Sequence, residues 1–320
     1  MANIIYFFFS TECSFRICKA SAQFDQWAIG CLVTDLIVIW VGIRPGGSCF
    51  DLHLILNNKI RKTTEFIGGK QASIIDEMCT NCGICVDYCR FDAIKYENGT
   101  EGADRERHWI DKHACDGCAV CVRHCPEQAI DFKDVISGEW YLSDTPYGPL
   151  VHARLGISQA NSGKLVSLLR QQARMLAEKN GLDMVIIDGP PGIGCPVIAS
   201  TTGAGYVLIV TEPSMSALHD MKRLVQLTAH FGIRTGICIN RFDINTDISS
   251  QIEEFAKEQK IEVLGKIPYD REVSNAQLAG TTVTEYSTGA VTDSIKLLWS
   301  NLKDRLKNID SGQRPQELIS

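Results

Sequence analysis

The 320-residue chain has no uninterrupted apolar run of about 18 residues, the length a membrane-spanning helix needs. Its longest candidate, Ile29 to Ile43, carries Asp35 in the middle and reads as one or two buried strands. Met1 to Ser10 contains no basic residue, so a secretory signal is not expected. Basic charge is not in excess either. Lys and Arg number 32 against 38 Asp and Glu, a net charge of −6 that gives a nucleic-acid surface no global support. These absences point to a cytoplasmic chain with no membrane span and no nucleic-acid partner. Its length and 45% apolar content suit about two domains.

Cysteine, by contrast, is abundant and unevenly placed: 14 in all, eight of them between Cys79 and Cys125. Such clustering in a chain of this length argues against a disulfide scaffold and for a metal site in a reducing compartment. Residues 79–94 and 115–130 repeat one pattern, C-x2-C-x2-C-x3-C, with Val, Ala and Ile at matching offsets. Three thiolates two residues apart wrap one face of an iron–sulfur cube, and the last cysteine of each run serves the other cluster. The spacing therefore assigns Cys79, Cys82, Cys85 and Cys125 to one 4Fe-4S cluster, and Cys115, Cys118, Cys121 and Cys89 to a second. Zinc prefers two separated pairs around a single ion. Gly83 and Gly117 are expected to give tight turns and amide donors for cluster sulfur. His108, His113 and His124 lie near the runs and read as surface histidines. Cys13, Cys18, Cys31, Cys49 and Cys238 lack ligand spacing, and Cys195 reads as a small buried filler.

Beyond about residue 160, short apolar strands alternate with helices. Leu165, Leu168, Leu169, Gln172 and Leu176 share a helical face; Met184–Ile187, Tyr206–Val210, Ile237–Asn240 and Ile261–Leu264 read as buried strands. Helices are expected near 216–230, 248–259 and 291–307, with a polar tail from 307 to 320. This grammar predicts right-handed crossovers and a mostly parallel, doubly wound α/β sheet whose ligands sit at the carboxyl ends of the strands. Asp188, Glu212, Asn240 and Asp243 hold such positions. The segment Asp188-Gly189-Pro190-Pro191-Gly192 follows a strand directly. An aspartate there can order a magnesium-bound water, and the loop amides can sense a γ-phosphate; a rigid strand-to-helix turn fits equally well.

From about Asp51 to Leu302 the chain resembles the MinD-superfamily P-loop ATPases that carry an inserted two-cluster ferredoxin domain. The resemblance rests on Asp51–Leu56, Glu65–Lys70, both cysteine runs, Ser137–Trp140, Gly148–Ala153, Ser162–Val166, residues 188–196, Thr211–Ser214, Leu218–Asp220, Ile239–Asp243 and Ile267–Asp270. It implies a P-loop fold split by the ferredoxin insert, with residues 1–72 and 136–306 forming the scaffold and 73–135 the insert. It also implies ATP with magnesium at the interface of a homodimer or paralogue heterodimer, and a redox or metallocofactor-assembly partner. Asp188 and Gly189 to Gly192 would be the Walker B and switch II element, Asn240 and Asp243 would contact the base, and Pro268 would lie near the adenine.

The departure from the family is as clear as the match. The family's lysine-bearing glycine loop follows its first strand, whereas here Ser10-Thr11-Glu12-Cys13-Ser14-Phe15-Arg16-Ile17 follows Asn3–Phe9. Gly46-Gly47-Ser48-Cys49-Phe50 stands where the switch I aspartate belongs. Neither Gly156 to Lys164 nor Gly68-Gly69-Lys70 has the spacing of a phosphate loop. Two functions follow: nucleotide-dependent electron or cluster transfer, or a non-enzymatic carrier on a nucleotide-incompetent scaffold. A misread coding frame over residues 1–50 is a third account of the departure.

Overall fold

The computed structural model describes residues 3–9, 36–42, 56, 58–97, 107–155, 162–189 and 193–310. The replacement segments at 10–17 and 46–50 lie outside them, as do Cys13, Cys18, Cys31, Cys49 and Pro190 to Gly192.

Nine strands form one sheet: β1 (Asn3–Phe9), β2 (Leu36–Gly42), β3 (Lys59–Ile74), β6 (Ile130–Thr145), β7 (Gly148–Leu155), β8 (Met184–Asp188), β9 (Tyr206–Thr211), β10 (Arg234–Asn240) and β11 (Glu262–Ile267). Their spatial order is β11-β10-β9-β1-β8-β2-β7-β6-β3. Every neighbouring pair from β11 to β7 is parallel, whereas β6 runs antiparallel to both β7 and β3. The expected parallel core is present. The antiparallel edge is an addition, written in a polar stretch whose side chains are largely exposed and so carry little apolar signal.

Helices cover both faces. On one, α3 (Ser162–Asn180), α5 (Met215–His230) and α6 (Thr246–Glu258) pack over Val185, Ile187, Val207, Ile209, Ile237 and Ile239. On the other, α7 (Arg271–Leu278) and α9 (Ala290–Asp310) pack over Ile186, Leu208, Val210 and Leu264. Alternate residues of each strand thus enter opposite cores, which is why these strands are apolar throughout. The buried seam of α3 is Leu165, Val166, Leu169, Ala173 and Ala177. It is rotated from the expected face, so Leu168 and Leu176 lie at its margin. α9 continues to Asp310, past the expected start of the tail at 307, because Leu302 and Leu306 keep its last turns on the core.

The insert grows from the sheet itself. The β3–β6 ladder runs from Lys59↔Asp144 to Ile74↔Ile130, but β7 accompanies β6 only from Gly138 to Thr145. Beyond Gly138 the two strands continue as a two-stranded stalk, with no third strand beside them among the described residues. At its tip sit α1 (Ile84–Asp87), β4 (Ile94–Glu97), β5 (Arg107–Ile110) and α2 (Val120–His124), around a small core of Ala72, Cys85, Ala93, Ile94, Ile110 and Ile130. Arg107, the first residue of β5, pairs with Glu97 at 3.3 Å and Asp76 at 3.8 Å. Two further short helices, α4 (Cys195–Thr201) and α8 (Val283–Tyr286), complete the scaffold.

Candidate functional site: a two-quartet cysteine insert and a strand-end cleft

The sequence repeat is repeated in space. Ile75 N–H donates to Ala129 O at 2.8 Å, and its counterpart Asp111 N–H donates to Ala93 O at 2.7 Å. Cys79 N–H donates to Ile75 O and Cys115 N–H to Asp111 O, at 3.1 and 3.0 Å. Each run bends through three left-handed residues: Asn81 (φ 55°), Gly83 (φ 77°) and Asp92 (φ 47°) in the first, Gly117 (φ 70°), Ala119 (φ 60°) and Gln128 (φ 50°) in the second. Glycine therefore occupies only two of the six positions with this conformation.

A cavity with about 350 Å³ of empty volume is lined by Cys79, Cys82, Cys85 and Cys125, with Gly83, His108 and Ile130 among its other walls. It joins three cysteines of the first run to the last cysteine of the second. In the other run, Cys115 and Cys118 lie close enough to Cys121 to raise its thiol pKa, after burial, and Cys89, Cys115, Cys121 and Cys125 all pack against the insert core. Among the described residues no three His, Cys, Asp or Glu side chains converge to hold a single ion. Cys79, Cys82, Cys85 and Cys125 line one volume, as a cube requires. Ala93 N–H donates to Cys89 Sγ at 3.4 Å and Ala129 N–H to Cys125 Sγ at 3.3 Å, so the resolved amide–sulfur bonds come from alanines rather than Gly83 or Gly117. Burial, then the Cys79 thiol, pushes Cys85 up to about 11. Such thiols ionise when positive charge reaches them, which couples deprotonation to metal binding.

His108 is not the surface residue expected. It is 9% exposed, lines the same cavity, and contacts Asn81 Oδ1 through its backbone N–H (3.3 Å) and Nδ1 (3.4 Å). His113 and His124 are exposed.

At the sheet's carboxyl edge, Asp188 lies opposite Phe7 of β1 and Trp40 of β2. It is 4% exposed, its Oδ1 has no hydrogen-bond partner among the described residues, and burial pushes its pKa up to about 8. Asn240, also 4% exposed, has an unpartnered Nδ2 among the described residues. Asn240, Arg241, Pro268, Tyr269 and Asp270 line a second cavity with about 290 Å³ of empty volume. Arg241 stands in the left-handed region (φ 53°), with its guanidinium 3.7 Å from Glu212 and over the Tyr269 ring at 5.9 Å. Asp243 is turned to structure rather than into the cavity lining: its Oδ1 accepts from Tyr269 N–H at 2.7 Å and so shapes the Pro268–Tyr269 turn. Gly189 is buried directly after Asp188. Cys195 is exposed at the start of α4, which corrects its reading as a buried filler; Cys238 is buried. Sequence reasoning missed Arg241 and Tyr269, although both follow strands beside residues it singled out.

Strand order, helices on both faces and the paired cysteine quartets define an iron–sulfur protein on a doubly wound α/β scaffold. Comparison with known proteins makes the class specific. Residues 78–130 match the 4Fe-4S dicluster domain, and residues 162–302 match the NUBPL iron-transfer P-loop NTPase model of the ParA group. The chain thus joins a MinD/ParA-like α/β fold to a segment that matches a 4Fe-4S dicluster domain. An uncharacterized protein of Methanocaldococcus jannaschii is 29% identical over 255 residues, covering 79% of this chain and 82% of its own length. An uncharacterized ATP-binding protein of the same organism is 30% identical over 125 residues, covering 38% of this chain and 48% of its own. In fold, the chain is similar to the MinD cell division protein of Aquifex aeolicus, with a TM-score of 0.52 at 12% identity over 99% of this chain and 100% of that one. A ParA family ATPase from Chlorobium tepidum gives 0.52 at 16% identity, over 94% and 99%. No described helix is long and apolar enough to cross a membrane.

Proposed function

We propose that this cytoplasmic chain is an iron–sulfur protein in which nucleotide at the strand ends gates electron transfer from, or cluster delivery by, the dicluster insert. The observation that carries this reading is that β3 and β6 belong both to the nine-stranded sheet and to the stalk, so the cysteine quartets extend from the same sheet whose strand ends carry Asp188 and Asn240. One 4Fe-4S cluster is held by Cys79, Cys82, Cys85 and Cys125, the other by Cys115, Cys118, Cys121 and Cys89; the clusters supply one-electron chemistry. The chain's own groups bury the Cys85 thiol and hold the crossed cysteines through the Ala93 and Ala129 amides.

In the cleft, Asn240 and Pro268 receive the base, while Asp243 holds the turn behind it. Asp188 would order a magnesium-bound water, and the segment from Gly189 to Gly192, of which Pro190 to Gly192 lie outside the described residues, would line the phosphates. The fit there is partial. The sequence after β1 supplies no lysine-bearing glycine loop, so no hydrolytic step is assigned to this chain. A redox or metallocofactor-assembly protein receives the electron or cluster, and the chain pairs with a second copy or a paralogue. Calorimetry of cluster-loaded protein with magnesium and ATP or ADP tests the reading. Binding that weakens in Asn240→Ala supports it, and the absence of any binding heat removes nucleotide gating.

A second reading is favoured by the missing phosphate loop: a non-enzymatic electron carrier on a nucleotide-incompetent scaffold. Cluster-dependent ATP turnover by the purified chain would exclude it.

A further inference from the structure

The stalk has no third strand beside it among the described residues, yet it is touched from the scaffold side at one telling place. The β3–β6 register shifts between Phe66 and Ile67 and again between Ile67 and Gly69, a bulge at the level where β7 ceases to accompany β6. Ile67 itself is exposed, whereas Phe66 beside it is buried in the same core as Leu165 and Val166 of α3. Bulges leave backbone groups outside the ladder. Here the Ile67 carbonyl accepts from Lys164 Nζ at 3.2 Å, in the first turn of α3. Lys164 Nζ is thus directed at the stalk.

The same turn of α3 abuts the segment that follows Asp188. A methyl group built on Gly163 would meet Cys195 Cβ at 3.4 Å and Cys195 O at 3.5 Å, so the two backbones are in near contact at the start of α4. Deeper along the pair, Arg170 donates to Ala199 O at 2.6 Å. With Leu165, Val166 and Val197 buried together, α3 and α4 form one packed block. One end of that block is joined through the chain to Asp188, its flank packs on the sheet, and Lys164 at its start reaches the stalk bulge.

We propose that Lys164 is a positioning residue that couples the Asp188 strand end to the dicluster stalk, by tying the α3–α4 block to the Ile67 carbonyl at the bulge. A shift of α4 relative to β8 then moves α3, and α3 moves the root of the stalk. Packed elements transmit small displacements because they do not deform continuously. The inference deepens the nucleotide-gating reading and rests on it only for the identity of the trigger.

Hydrogen–deuterium exchange of the full, cluster-loaded chain tests it. Lys164→Met should speed exchange at residues 66–70 and 134–138 by roughly fivefold, the opening expected for one lost hydrogen bond. Lys164→Arg, which keeps a donor, should restore the wild-type rate. Gly163→Val, which presses on Cys195, should change exchange at the bulge in the wild-type background but not together with Lys164→Met. Unchanged exchange at the bulge in Lys164→Met, or a Gly163→Val effect that persists in the double variant, overturns the coupling. Adding magnesium-ATP separates the two ideas. If calorimetry detects no nucleotide binding, the gating reading falls while the variants still decide the relay. If nucleotide binds and the bulge is indifferent to it, the relay falls.

Discussion

Tyr88 stacks on His124 with ring centroids 3.9 Å apart and planes 3° from parallel. The two residues hold equivalent places in the cysteine runs, each directly before the run's last cysteine. The stack therefore sits where the chain crosses from one quartet to the other. Aromatic pairs of this kind contribute about 0.5–1.5 kcal/mol beyond their burial. Tyr88→Ala is expected to loosen both crossings together, so that chelator bleaches both clusters roughly fivefold faster, with Tyr88→Phe close to wild type. Stopped-flow absorbance with EPR of the residual clusters measures this, and loss confined to one cluster contradicts it.

Ligand removal should act across the runs. Cys89→Ala should abolish the cluster built on Cys115, Cys118 and Cys121, and Cys125→Ala the one built on Cys79, Cys82 and Cys85. Each variant should keep about four of about eight irons and one EPR signal, while the scaffold sheet stays folded. Variants that both retain two unperturbed signals would show that the assignment is wrong.

Two glycines in the runs should respond differently to alanine. Around Gly83 nothing lies within 4 Å of a built Cβ, and its counterpart Ala119 already bears a side chain at φ 60°. Gly83→Ala is expected to cost only about 1–2 kcal/mol, the left-handed penalty. A Cβ on Gly117 would collide with the Lys70 carbonyl oxygen of the stalk, so Gly117→Ala must displace the loop that carries Cys115 and Cys118. Iron content after purification distinguishes them: near wild type for the first, reduced for the second. Equal loss in both sinks the argument.

Asp188 gives a pH dependence of definite sign. The native carboxyl holds its proton up to about 8, while an ordinary one releases it near 3.8. The folded state therefore binds more protons across that window, and the stability from this group, full below the lower value, is lost as pH rises through the upper one. Asp188→Asn should match wild type at the acid end. Without nucleotide near pH 8 it should be more stable, by on the order of 1–3 kcal/mol. Urea unfolding followed by scaffold tryptophan fluorescence tests this; an unchanged wild-type-minus-variant difference across the range would assign the dependence elsewhere.

Local sequence was enough wherever chemistry depends on spacing or on continuous apolarity. The Cys79 and Cys115 runs announce cluster ligands because three thiolates at two-residue intervals fit one cube face. Strands such as Met184–Asp188 and Tyr206–Thr211 are readable because burial on both faces leaves no polar position to confuse the period. Asp188 and Asn240 stood out as polar residues ending such strands. The stalk was hidden for the opposite reason. Lys59–Ile74 is held by ladder hydrogen bonds to β6 while most of its side chains face solvent, and solvated side chains leave no pattern. Other features depend on what the fold brings alongside. His108 is buried by Asn81 and the cavity wall, Cys195 is left exposed, and Lys164 meets Ile67 across the bulge. None of these has a local signal, because each depends on the relative placement of segments far apart in the chain. Composition and spacing determined which atoms this protein has for its chemistry; only packing decided which of them face one another.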